Sequence, residues 1–171
     1  MSERTTNLRT WSAHPRAEHP KAKGDGTTLA VMLALQTAGF TVLEPFGENT
    51  RYDLLIEDGN GFIKVQCKTG RLRAGTVRFA TCSCYGHHRH PDRARRSYQG
   101  EADVFGVYCR ETGAVYLVPV ADCGLVQAAL RVAPPANNQS VGIRWAAEYE
   151  IARVTVEVAQ RLRGTSLACA A

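Results

Sequence analysis

Asp53, Gln66 and Lys68 are the residues whose types and spacing suggest chemistry. They sit on two strand-like runs, residues 51–57 and 62–69, joined through Asp58-Gly59-Asn60-Gly61, which reads as a hairpin turn. If Gly59 and Asn60 form a two-residue turn, Asp53 stands directly opposite Gln66 and the two side chains share a face. The two-residue period of a strand puts Phe62, Lys64, Gln66 and Lys68 on that face, with Ile63, Val65 and Cys67 on the other, apolar one. A carboxylate, an amide oxygen and an ammonium then converge. Phosphodiester hydrolysis needs a hard cation held by oxygen, a water of lowered pKa, and positive charge near the developing negative phosphorane. In that scheme Asp53 is the main ligand of Mg²⁺, or of Mn²⁺ in its place. Gln66 gives a neutral oxygen to the same ion, and Lys68 orients the water or stabilises the transition state. The competing reading is an exposed sheet face with a solvated Asp53–Lys68 ion pair of negligible worth.

The elements that must position these side chains follow from pattern. Asp25 before Gly26-Thr27-Thr28 reads as an N-cap, the apolar stretch through Ala38 as a helix, and Gly39 as its stop. Because that helix is apolar on most sides, it is expected to lie buried against a sheet. Strands are expected over 41–46, 51–57, 62–69 and 76–82, an antiparallel meander, and again over 103–109 and 114–120 across a turn at Glu111-Thr112-Gly113. Residues 121–130 look helical, 134–138 form a loop, and 145–163 read as a closing helix, although Val154, Thr155, Val156 and Val158 also suit a strand. The fold class is α/β with a mixed central sheet flanked by helices. Residues 1–22 read as an N-terminal tail, 23–165 as one domain and 166–171 as a C-terminal tail.

Excess positive charge gathers just after Lys68. Arg71, Arg73, Arg78, Arg89, Arg93, Arg95 and Arg96 fall in a stretch whose only acid is Asp92, so Arg71, Arg73, Arg95 and Arg96 are candidates to grip phosphates beside the scissile bond, with Tyr85 or Tyr98 available to stack. The alternative is a solvated arginine loop. Cys82-Ser83-Cys84 with His87, His88 and His90 has zinc-binding residue types but no second pair at zinc-finger spacing, so a strand-end cysteine pair beside a basic loop is the better reading. The six cysteines lie mostly in apolar runs and read as reduced thiols.

Lys plus Arg outnumber Asp plus Glu by 21 to 16, which suits a polyanionic partner. The longest apolar run, residues 29–35, is far shorter than the roughly 20 residues that span a bilayer, and no signal-peptide core precedes it. A cytoplasmic protein that does not enter the membrane is expected.

Taken in order, Lys23-Gly24-Asp25, Pro45-Phe46-Gly47, Arg51-Tyr52-Asp53-Leu54, Val65-Gln66-Cys67-Lys68 and Tyr98-Gln99-Gly100 through Asp103 resemble the group I intron-associated PD-(D/E)XK endonucleases. The likeness runs on through Val115-Tyr116-Leu117-Val118-Pro119-Val120 and from Asn137-Asn138-Gln139 to Arg144-Trp145, roughly residues 23–150. It implies an αβββαβ core, Mg²⁺ dependence, DNA as substrate and a homo-oligomer, a dimer or larger. It assigns the motif aspartate to Asp53, the (D/E) position to Gln66 and the motif lysine to Lys68. Two positions depart from the general motif: Gln66 replaces an acid, as it often does in the resembled family, and Thr28 stands where such enzymes carry a helix glutamate near the metal. Asp25, one turn earlier, is an alternative ligand as well as the N-cap, and Asp103 is a candidate third acid as well as a structural charge. Two functions follow as expectations, a Mg²⁺-dependent DNA endonuclease, or a degenerate relative that binds nucleic acid without cutting it.

Overall fold

Pro20, whose missing N–H has no partner to lose in a first helical turn, opens the helix α1 (Pro20–Thr37). A computed structural model of the chain describes residues 20–47, 49–57, 61–84, 95–134 and 142–153. The expected start at Asp25 is thus corrected by five residues, and Asp25 lies exposed inside the helix rather than capping it. Pro20 suits the first turn and Lys21, Ala22 and Lys23 are good helix formers, while packing of Thr27, Val31 and Leu35 on the sheet offsets the roughly 1 kcal/mol that each of Gly24 and Gly26 costs. The end falls where expected. Gly39, at φ 91°, donates to the Gln36 carbonyl, and Phe40 reaches back to Leu35 at 3.1 Å, a Schellman stop.

One stripe of α1 is fully buried, formed by Thr27, Val31 and Leu35 at four-residue intervals. Leu29 and Leu33 stay 64% and 65% exposed, so the expectation of burial on most sides fails: the sheet covers a single stripe. Thr27 is tolerated in that stripe because the Thr69 hydroxyl meets its own at 2.7 Å and it bonds the Lys23 carbonyl.

Nine strands follow among the described residues: β1 (Thr41–Leu43), β2 (Leu54–Glu57), β3 (Phe62–Arg73), β4 (Thr76–Ala80), β5 (Cys82–Cys84), β6 (Arg95–Ser97), β7 (Val104–Cys109), β8 (Ala114–Pro119) and β9 (Gln127–Arg131). β1 to β4 form the expected antiparallel meander, β9 extends it beyond β4, β7 lies parallel to β3, and β8 pairs antiparallel with β7. The result is the expected α/β fold with a mixed sheet. In the crossover from β4 to β7 the described residues form a two-stranded β5–β6 ribbon, with Cys82 opposite Ser97 and Cys84 opposite Arg95.

β3 organises the molecule because successive parts of it take different partners. Phe62 to Val65 pair with β2, Val65 to Gly70 with β7, and Arg71 to Arg73 with β4. Its alternation serves two cores. Ile63, Val65 and Cys67 join Val31, Leu35, Val104 and Leu117 under α1. On the opposite side Val77 and Phe79 of β4 and Ala128 and Leu130 of β9 pack over Phe105, Val107, Tyr116 and Val118. This second layer explains a correction at residues 121–130, expected to be helical. Only a single 3-10 turn, Val120–Asp122, forms, and β9 follows it with Ala128 and Leu130 inward and Gln127 and Ala129 outward. Alanine and leucine favour helix locally, but the open edge of β4 offers five paired positions and a core to close.

The expected closing helix is corrected as well. Residues 146–148 and 151–153 form two single 3-10 turns, with bridges from Glu150 to Tyr116 and from Trp145 to Arg131, while residues 154–163 lie outside the described residues. This segment runs along the edge of β8 away from β7 and meets the end of β9, where main-chain partners compete with helix continuation. The N-terminal tail expected at 1–22 is corrected at its end, since residues 20–22 belong to α1; residues 1–19, the tail at 166–171, the loop arginines Arg89 and Arg93, Tyr85 and the three loop histidines lie outside the described residues.

α1 approaches β7 closely at Gly106, where an added Cβ would stand 2.7 Å from Val31 Cγ1 and 3.0 Å from Val65 Cγ1. Both neighbours are branched and fully buried and cannot swing away. Gly106→Ala is expected to destabilise the fold by about 1–3 kcal/mol, read as a lower denaturant midpoint at unchanged slope.

Candidate active site

The β2–β3 register is the one the hairpin pattern implies: Leu54 faces Val65, Leu55 faces Lys64 and Glu57 faces Phe62. At the mouth of the pair the ladder slips by one, since Asp53 N–H bonds the Val65 carbonyl at 2.9 Å. The side chain nevertheless reaches its expected partner. Gln66 Nε2 donates to Asp53 Oδ2 at 2.5 Å, and the same oxygen accepts the Cys67 backbone N–H at 2.8 Å. Among the described residues, Asp53 Oδ1 and Gln66 Oε1 take no hydrogen bond, so one carboxylate oxygen and one amide oxygen stay available at the same place.

Burial pushes the Asp53 carboxyl above its ordinary value, against the opposing pulls of the Cys67 N–H and the Lys68 charge. A desolvated carboxylate with a single partner cation is a group poised to accept a further positive charge. Cys67, on the other face of β3, is an inert thiol: burial first, then the Asp53 charge, push it up to about 12, with Thr28 as its hydrogen-bond partner.

Lys68 leaves β3 on the Gln66 side and lies 3.1 Å from the Tyr98 hydroxyl, its Nζ 4.3 Å from the ring centre. Tyr98 is 5% exposed and set edge-on to Phe105, with centroids 5.7 Å apart. Arg51 stacks on the same ring at 4.2 Å and is fixed by Glu101 at 2.6 Å, Ser83 Oγ at 3.0 Å and the Ser97 carbonyl at 3.0 Å. Glu101 also takes Arg96, and hydrogen bonding from Arg51 holds its carboxyl below the usual range. This network ties the β5–β6 ribbon to the Asp53 site and fixes Lys68 through Tyr98. Sequence reasoning offered Tyr98 only for stacking and gave Arg51 and Glu101 no role; strand alternation from Asp53 back to Arg51 was the available signal. Tyr98→Phe keeps the ring and removes the hydroxyl. It is expected to lower any Lys68-dependent turnover about 10-fold with a melting temperature close to wild type, checked by parallel kinetic and thermal assays.

The other candidates fall out differently. Thr28 bonds the Gly24 carbonyl at 3.3 Å and meets Cys67, so no carboxylate enters from α1 at that position. Asp25 is exposed within α1. Asp103 is structural: Oδ2 accepts the Lys64 N–H at 2.8 Å while its own N–H bonds the Lys64 carbonyl at 3.0 Å, pinning β7 to β3. Arg95 and Arg96 lie exposed on β6, with Arg96 joined to the Tyr98 network through Glu101. Arg71 and Arg73 share the parity of Cys67 and Thr69, so they leave β3 on the face away from Lys68, and their expected place beside the scissile bond is corrected by the alternation of the strand itself. No cluster of three or more metal-binding His, Cys, Asp or Glu side chains occurs among the described residues, and Cys82 and Cys84 are free thiols.

A helix packed on a mixed sheet, with an aspartate, a glutamine and a lysine gathered at the start of a β-hairpin, is the framework of one nuclease class. The chain belongs to the PD-(D/E)XK endonucleases, whose family model matches residues 18–152. Among solved structures, the bacterial homing endonuclease I-Ssp6803I is similar, with a TM-score of 0.64 at 21% identity over 86% of this chain and 96% of that one. At that identity the likeness carries the fold. A search of curated proteins gives no match.

Proposed function

We propose that this protein is a Mg²⁺- or Mn²⁺-dependent endonuclease that hydrolyses phosphodiester bonds of DNA, with Asp53, Gln66 and Lys68 at its centre. The observation that carries the reading is the pair of unengaged oxygens, Asp53 Oδ1 and Gln66 Oε1, beside an ammonium held by Tyr98. That donor set fits a hard cation, with Asp53 as its only carboxylate among the described residues, so phosphate oxygens and waters complete the shell. When bound, the cation supplies Lewis acidity toward the scissile phosphate and lowers the pKa of water.

The chain's own residues do the rest. Asp53 and Gln66 hold the ion on the β3 face, Lys68 places positive charge where the phosphorane develops, and the buried Tyr98–Phe105 pair keeps that charge from wandering. Arg95 and Arg96, on the ribbon joined to this network, position the DNA backbone. One such site per chain cuts one strand, so cleavage of a duplex calls for a homo-oligomer presenting two. The free cysteines among the described residues fit the reducing cytoplasm proposed for it, and no described helix is long and apolar enough to cross a membrane.

The test is conversion of supercoiled plasmid to nicked or linear forms with Mg²⁺ or Mn²⁺ and not with EDTA. A preparation that shifts DNA on a gel yet leaves it intact with both ions would make the protein a binding relative instead, silenced by the missing carboxylate at Thr28.

A further inference from the structure

The outer face of the β3–β4–β9 layer has an unusual composition. Its inward residues, Val77, Phe79, Ala128 and Leu130, close the second core, so the outward ones are fixed by alternation. Register places Arg71 directly across from Arg78, and Thr76 between Arg73 and Arg131. Ala80, Gln127 and Ala129 fill the remaining positions of β4 and β9 with uncharged side chains, and exposed Arg144 follows on the segment whose carbonyl takes the Arg131 N–H at 2.8 Å. The three strands contribute no acid to this face; Glu111 lines a pocket at its rim together with Arg71. Arg131 is preset, its Nη1 bonding Thr76 Oγ1 at 2.9 Å and the Ala74 carbonyl at 3.2 Å, which leaves its remaining donors outward.

Like charges directly opposite on neighbouring strands destabilise a sheet. A platform that carries such a pair on three strands without an acid has the electrostatics of a docking surface for a polyanion. We propose that the β3–β4–β9 face, through Arg71, Arg73, Arg78, Arg131 and Arg144, binds the phosphate backbone of duplex DNA as a platform separate from the cutting site, which lies on the other face of β3. Alternate residues on one strand stand about 6.7 Å apart and neighbouring strands about 4.8 Å apart, spacings that let a row of guanidinium groups meet successive phosphates without reading a base. The proposal deepens the nuclease reading by giving its substrate a second point of attachment.

The test is fluorescence anisotropy of a labelled random duplex in EDTA, where no cutting intervenes, over a salt series. Arg73→Gln combined with Arg78→Gln is compared with a double variant of equal charge change at the opposite edge of the sheet, Thr41→Glu with Leu43→Glu on β1. The first pair is expected to weaken binding about 10-fold or more and to reduce the slope of log K against log salt by about 1.8, while the melting temperature holds or rises because the Arg71–Arg78 repulsion is relieved. Equal losses in both double variants would overturn the platform, as would wild-type affinity and slope in the first. Wild type that binds no duplex at all would overturn the nuclease reading with it, whereas wild type that binds and is weakened only by the first pair sustains the platform even if plasmid stays uncut.

Discussion

Asp53→Asn is expected to abolish metal-dependent cleavage, by at least about 100-fold, and to leave the protein as stable as wild type or more so. The two effects share one cause. Burial raises the carboxyl of Asp53, so its charged form is disfavoured in the folded state. An acid whose folded pKa lies above its unfolded value binds more protons when folded. Its favourable contribution is complete below the unfolded pKa and is lost as pH rises through the folded one. At neutral pH the carboxylate is therefore a burden, which asparagine removes while its amide oxygen still accepts the Cys67 N–H and Gln66 Nε2 bonds. Melting curves should show the variant's advantage at pH 7 shrinking toward acid. Cleavage by wild type should fall over the same acid range as the proton displaces the cation.

Lys68→Met should produce the second large effect. Methionine keeps the apolar stem but removes the charge, the bond to Tyr98 and the contact with its ring. Turnover is expected to drop about 100- to 1,000-fold, duplex affinity in EDTA to change by only about 2- to 3-fold, and stability by less than about 1 kcal/mol. A parallel loss of binding would make Lys68 a phosphate anchor and not a catalytic residue.

How much of this was legible in the sequence depended on whether the signal was local. The β2–β3 hairpin was, because Asp58-Gly59-Asn60-Gly61 and the alternation of Phe62 to Lys68 each fix the same register. So was the end of α1, since only glycine takes the conformation of Gly39 at little cost. Its start was not: Asp25 looks like a cap, and only the run from Pro20 to Lys23 says otherwise. β9 was misread because Gln127-Ala128-Ala129-Leu130 prefers helix until the edge of β4 supplies hydrogen bonds and a core. The trio was found from strand parity, while the Arg51–Tyr98–Lys68 stack joins residues up to 47 positions apart through a core that no local pattern displays. Parity also held the answer for Arg71 and Arg73, which the position of the run just after Lys68 obscured.

The most direct measurement is a single time course of supercoiled plasmid with Mg²⁺, running wild type, Asp53→Asn and Lys68→Met at equal concentrations, with duplex binding in EDTA measured on the same preparations. The account expects nicked and linear product from wild type, essentially none from either variant, and binding retained by all three. Product formed equally by wild type and both variants would contradict it, because the hydrolysis would then belong to residues other than the Asp53–Gln66–Lys68 site.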